Sequence, residues 1–345
     1  MKKKVCVLSI DGGGIRQIIP SVILKYIEDV LKKENPNARL SDYFDFFVGA
    51  DMGGILTSLL VIPDASGRSK IDAKAALEFF TNNGESIFDV SIWKRLKSMG
   101  GMTDEKYSSK KLEGLLNDLM GDNRLGDVVK PLMLSAYDVR NREAKLYSFT
   151  DAQNPIRNFY LRDLCRASAA IPSYFEPARI KSETETPFTL VSGSLFASNP
   201  TMMAYAETRK MNFATILEDD DKPVFPMAQD LFVVSLGAGE VKNPYYFDTV
   251  KDWGEMSWLK PIMDMLTSSN SETVDYQMRQ LFSTVTPTND YIRLNPKLKG
   301  VATEIDDASA DNIRNLVDFS ENFIKENKAD LDLIVDKLIA YNRVD

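Results

Sequence analysis

The chain has 345 residues, 44% of them apolar and 27% charged, enough to bury a full core as one large domain or two smaller ones. Its 42 Lys and Arg stand against 50 Asp and Glu, and the net charge of -8 excludes a general attraction to nucleic acid or to an anionic membrane. There is no histidine at all, which excludes Ser-His-Asp and Cys-His mechanisms and any His-based zinc site.

In chain order, Lys4 to Ile10 is a short β-branched run bounded by glycines, the pattern of a buried strand. Three lysine-rich residues precede it, but the apolar run ends in Asp11 and three glycines, too soon for a signal peptide. From Asp11 to Glu34 the apolar positions Ile18, Ile19, Val22, Ile23, Tyr26, Ile27, Val30 and Leu31 recur at helical spacing. Phe44 to Gly49 and Ile55 to Val61 repeat strand and helix. Residues 73–88 and 108–121 read as amphipathic helices, and 131–139 and 143–149 as strands. A helix over 161–172 is expected to end at Pro172. Residues 188–195 read as a strand with a turn, and 229–239 as a buried strand meeting a glycine loop.

Strands alternating with helices over the first 240 residues predict an α/β fold with a mostly parallel central sheet covered on both faces. Residues 255–345 read as helical, with an extra strand in 289–296, and the whole of 1–345 reads as one domain with its motifs in 4–240. The acidic turn Leu217 to Pro223 lacks the spaced oxygens and glycine of a calcium loop and reads as solvated. Cys6 and Cys165 are expected as free, buried thiols. No segment approaches the roughly 18 apolar residues of a membrane span, so the chain is expected to be cytoplasmic, meeting membranes only peripherally.

Two loops have the makings of chemistry. Asp11-Gly12-Gly13-Gly14-Ile15-Arg16 joins the first strand to the first helix, where amides of Gly12, Gly13 and Gly14 can converge as an anion hole at a helix start. It fits neither a P-loop nor a dinucleotide-binding fingerprint, and by itself it is equally a tight turn. Gly49-Ala50-Asp51-Met52-Gly53-Gly54 has a strand before it, a helix after it, and small residues at Gly49 and Gly53, as a strained nucleophile elbow requires. Its apex is Asp51, which could also simply cap the helix.

Together with these loops, residues 165–178, Ser198 to Thr201, 233–240, 291–298 and 304–317 follow one another as they do in patatin-like lipid acyl hydrolases, and the chain resembles that family over roughly residues 4 to 325. The resemblance implies a three-layer α/β/α fold and hydrolysis of acyl esters of phospholipids or other lipids by a Ser-Asp dyad without histidine or cofactor. Onto this chain the serine position maps to Asp51 and the aspartate position to Ser192, before Gly193, Asn199 and Pro200. Each catalytic position carries the other's residue type.

Such an exchange is expected to preserve an Asp-to-Ser hydrogen bond while placing a carboxylate beside the Gly12 to Gly14 amides, which would lower its basicity and fill the hole meant for an oxyanion. Three enzymatic readings follow in order: a silent or very weak hydrolase homologue, a swapped dyad with Ser192 attacking and Asp51 as base, and an aspartate nucleophile with no base left for its hydrolysis. A doubly substituted form of an active enzyme would carry the same sequence. A non-catalytic module binding a small anionic lipid in the inherited pocket is a further reading. Arg16 could orient the glycine loop or meet a head group. Residues 90–102 mix Trp93, Leu96 and Met99 with Lys94, Arg95 and Lys97, a composition suited to an interfacial lid or an ordinary surface helix. The expected ligand is a lipid or acyl ester, with no nucleic acid partner and no metal; the oligomeric state is not legible.

Overall fold

Alternation along each strand decides the layers. In the computed structural model, which describes residues 3–89, 106–284 and 289–342, β1 (Val5–Ile10) sends Cys6, Leu8 and Ile10 to one face and Val5 and Val7 to the other. β2 (Phe46–Gly49) divides Phe47 from Phe46 and Val48, and β7 (Leu231–Leu236) divides Phe232, Val234 and Leu236 from Leu231 and Val233. These strands are buried on both faces, so helices must cover both.

On the first face lie α1 (Ile18–Glu34), α2 (Met52–Leu59), α3 (Ala73–Ile87), α4 (Lys110–Met120) and α5 (Leu161–Ser168). On the second lie α6 (Thr201–Thr208) and the long α7 (Glu255–Ser283). Two C-terminal helices, α8 (Ala310–Glu326) and α9 (Lys328–Asn342), pack on the α1 side and close the larger core. The three-layer α/β/α expectation holds.

The sheet runs β5 (Ala178–Lys181), β6 (Pro187–Ser192), β3 (Leu132–Asp138), β2, β1, β7 and β8 (Tyr291–Leu294), with β4 (Glu143–Ser148) also paired to β3. The β3-β2-β1-β7-β8 block is parallel; β4, β5 and β6 make the antiparallel pairings. Parallel neighbours place the C-terminal ends of β1 and β2 side by side, with Ile10 opposite Gly49. Both candidate loops therefore leave the sheet at one edge, where open α/β sheets bind their ligands.

Several local readings are corrected. The first helix does not run from Asp11: Gly14 at φ 57° breaks it, a 3-10 turn spans Gly14–Gln17, and α1 begins at Ile18. α5 stops at Ser168 because Ile171 precedes Pro172 and the α conformation is disfavoured there. β5 and α6 were not legible. The acidic turn at 217–223 is not simply solvated: Lys222 is buried, 2.6 Å from Asp45, and donates to the Lys4 carbonyl at 2.9 Å. Asp45 in turn accepts the Cys6 amide at 2.8 Å, pinning this turn under the sheet. Both cysteines are free and buried. The segment 90–102 lies outside the described residues.

Candidate active site

Asp51 occupies the turn between β2 and α2 with φ 51° and ψ -132°, a conformation that costs a non-glycine residue about 1–3 kcal/mol and has to be imposed by its surroundings. The imposition comes from close packing. A Cβ on Gly53 would stand 2.4 Å from the Asp11 carbonyl oxygen, so only glycine lets α2 approach the end of β1. Gly49 meets the same helix, since a Cβ there would lie 2.4 Å from the Gly53 oxygen. From outside, Ser168 at the end of α5 donates to the Asp51 carbonyl at 3.3 Å.

The glycine loop is fixed with equal economy. The Asp11 amide donates to Leu236 O at 3.0 Å, the Gly12 amide to Ser198 O at 2.9 Å, and the Ile15 amide to Ile305 O at 2.8 Å. Gly14 has a positive φ, and a Cβ on it would meet Ile305 O at 2.0 Å. Gln17 Nε2 donates to Asp11 O at 2.7 Å. With their neighbours spent in this way, the amides of Gly13 and Gly14 converge on one point, and Asp51 Oδ2 occupies it, 3.0 Å from each nitrogen.

Asp51 is 1% exposed, and its second oxygen, Oδ1, has no hydrogen-bond partner among the described residues. Burial pushes its carboxyl up to about 6, against the amides of Gly14, Gly13 and Met52 and the positive charge of Arg16, which all pull it down. The expectation of lowered basicity is thus corrected in sign: the amides act in the expected direction, and desolvation outweighs them.

Ser192 ends β6 and is fully buried, but its hydroxyl is not turned to the elbow. Its Oγ lies 2.9 Å from Ser194 Oγ and accepts the Ser194 amide at 3.2 Å, capping the short turn Gly193–Leu195. No Asp51–Ser192 hydrogen bond exists among the described residues, so the expected conserved pair is corrected. Ser194 intervenes; its Cβ comes within 3.5 Å of where a Cβ on Gly12 would be, and Ser194 lines the pocket above Asp51. Asn199 Oδ1 accepts from the Thr201 amide at 3.0 Å and Thr201 Oγ1 at 2.6 Å, and Thr201 Oγ1 reaches Ser9 and Ser235 on the sheet. Asn199 and Pro200 thus set the start of α6 and place Ser198 O for Gly12.

Behind the loop lies a buried ion pair that the sequence reading passed over. Arg293 on β8 donates to Asp11 Oδ2 at 2.6 Å and Oδ1 at 3.2 Å, and to Ser235 and Ser271 hydroxyls. An arginine inside a buried parallel strand needs a partner, and that was the available signal.

Above the elbow opens a cavity of about 530 Å³, lined among others by Asp51, Ile171, Tyr174, Leu195, Met263 and Ile305. That is a size ordinary for a small-molecule site. Arg16 lines it too; burial lowers its guanidinium to about 10, and its buried Nε and Nη1 have no hydrogen-bond partner among the described residues. Asp264 and Glu304 flank it. Among the described residues no cluster of three or more Cys, Asp or Glu could hold a metal, and no helix is long and apolar enough to cross a membrane.

The patatin-like phospholipase family model matches residues 8–205. Patatin-like protein 2 of Oryza sativa is 34% identical over 350 residues, covering 96% of this chain and 86% of that protein. Patatin group D-2 of Solanum tuberosum is 31% identical over 343 residues, covering 94% and 85%. A further Solanum tuberosum protein, "Probable inactive patatin-3-Kuras 1", is 31% identical over 338 residues, covering 93% and 87%. The solved structure of VipD from Legionella pneumophila covers 93% of this chain and 67% of its own at 13% identity, with a TM-score of 0.36. With a family model over more than half its length and relatives above 30% identity over nearly all of it, the chain belongs to the patatin-like phospholipase family.

Proposed function

We propose that this chain is a patatin-like lipid acyl hydrolase homologue that no longer turns over esters and instead binds a lipid in the inherited pocket. One observation carries the reading: Asp51 Oδ2 sits 3.0 Å from both the Gly13 and Gly14 amides. Those are the donors an oxyanion would need, and a carboxylate already holding them both blocks the developing charge and repels it. Ser192 supports the same reading, since its hydroxyl is engaged with Ser194 and has no base within hydrogen-bond reach among the described residues. The name of one relative, "Probable inactive patatin-3-Kuras 1", is in keeping with this reading.

The pocket's charges favour a zwitterionic ligand over an anionic one. Arg16 lines the pocket with a positive charge that suits a phosphate, while Asp264 and Glu304 beside it suit an ammonium group. The test is incubation with monomeric lysophosphatidylcholine. At a hundredfold excess over Kd, the ligand is expected to raise Tm by about 5 °C while no fatty acid is released. Turnover matching that of active patatins, or no shift with zwitterionic, neutral or anionic amphiphiles, would contradict the proposal.

A further inference from the structure

The mouth of the pocket carries apolar side chains that are left exposed among the described residues. Phe247 is 76% exposed, Tyr246 69%, Met256 65% and Leu266 54%, with Ile262 and Met263 also exposed. Large apolar groups exposed together mark an interaction surface, whereas single ones need no explanation. On α7, positions 256, 262, 263 and 266 fall within an arc of about 120° at about 100° per residue, so they form one stripe.

This stripe and the preceding loop are tied into one surface. Tyr245 packs edge-on against Trp253 at 5.6 Å, and Trp253 against Trp258 at 5.1 Å. The Tyr245 hydroxyl reaches Asp264 at 3.1 Å. The surface is also continuous with the cavity, because Tyr245, Pro261 and Met263 line it. Rings of this kind, with an apolar body and a polar tip, suit the boundary between water and lipid.

We propose that the loop at 245–247 and the N-terminal half of α7 form a docking surface for a zwitterionic or neutral lipid layer, through which the lipid ligand enters the pocket. The occupant is chosen by continuity and by charge. By sequence alone, residues 245–266 carry four acids, among them Asp248, Glu255 and Asp264, and two lysines, a net -2. An anionic surface recruits proteins through clusters of basic residues, each worth about 1 kcal/mol, and this face opposes it. What remains is insertion of apolar side chains, which gains free energy with buried area and is insensitive to salt. The inference rests on the lipid-binding reading of the pocket, although the residues it invokes, Phe247 and Leu266, do not line that pocket.

The test is co-sedimentation of the full chain with phosphatidylcholine vesicles, with and without phosphatidylserine, for the parent and for Phe247→Asp with Leu266→Asp. Binding to phosphatidylcholine vesicles, unchanged from 50 to 500 mM salt, weakened by phosphatidylserine and at least roughly tenfold weaker in the double variant, is the expected result. Both chains are expected to keep the thermal shift with monomeric lysophosphatidylcholine, which also shows the variant to be folded. A parent that keeps that shift but ignores phosphatidylcholine vesicles overturns the docking surface and leaves the pocket reading standing. Loss of the shift itself in the parent sinks the pocket reading. Salt-sensitive binding to phosphatidylserine vesicles alone overturns the choice of lipid, and a parent dimer that the double variant converts to monomer assigns the face to a second copy instead.

Discussion

Asp51 sits against a backbone framework that is tied down on several sides: the glycine loop is bonded to Leu236, Ser198 and Ile305, the elbow glycines touch backbone, and Asp11 is clamped by Arg293. The Ser192 hydroxyl, on the facing turn, bonds among the described residues to its neighbour Ser194, while its amide donates to Ala170 O. If the serine and aspartate positions of the family fall at Asp51 and Ser192, as proposed, the two have exchanged residue types, yet their surroundings are not interchangeable. A carboxylate placed at the rigid elbow side is held by the Gly13 and Gly14 amides, while a hydroxyl placed on the facing turn, itself fully buried, is satisfied by Ser194. An exchange that looks symmetrical in sequence is therefore asymmetrical in chemistry.

The contrast can be broken most severely on the rigid side. Arg293→Met keeps the length of the side chain but leaves Asp11 buried without its partner, and a loss of about 3–5 kcal/mol is expected from urea unfolding. A loss below about 1 kcal/mol would mean that the loop does not depend on this clamp.

Asp51→Asn tests the electrostatics of the elbow itself. The folded carboxyl holds its proton up to about 6, above the ordinary 3.8. The stability this protonated group contributes is complete below about pH 4 and is lost as pH rises through 6, because the unfolded chain deprotonates first. The gap corresponds to on the order of 3 kcal/mol. Asn cannot ionise, so the variant's stability relative to the parent is expected to improve by that order between pH 4 and 7, then level off. A stability difference independent of pH would show that Asp51 is not desolvated as described.

Ser192→Ala removes a single local cap and is expected to cost about 1 kcal/mol. It should leave the pH dependence of stability untouched. A shift in that profile would reveal a hydrogen bond to Asp51 in solution and would narrow the contrast between the two sides.

How much of this the sequence carried follows from the range of each interaction. The elbow and the glycine loop were legible because backbone geometry demands small residues at fixed local spacing, as at Gly49, Gly53 and Gly14. The layering was legible because strands alternate with helices over the first 240 residues, which forces helices onto both faces of a parallel sheet. What Ser192 bonds to was not, because a rotation of one hydroxyl toward Ser194 leaves no trace in spacing. The sign of the Asp51 shift was also hidden, since it depends on how completely α2, α5 and the loop at Ile305 close over the carboxyl. Arg293 stood inside an apolar strand where its charge called for a partner, while the buried pair of Lys222 with Asp45 spans 177 positions and could be placed only by the fold.

The central claim is that the carboxylate in the anion hole, and not any damage to the scaffold, keeps this chain silent. Its most direct test is hydrolysis of a short-chain p-nitrophenyl ester by the parent, by Asp51→Ser, and by Asp51→Ser with Ser192→Asp. We predict that the parent stays at the uncatalysed rate, that the single variant gains little, and that the double variant gains roughly a thousandfold or more in kcat/KM. Parent activity within about tenfold of the double variant would contradict the account and point to attack by Ser192 with Asp51 as its base.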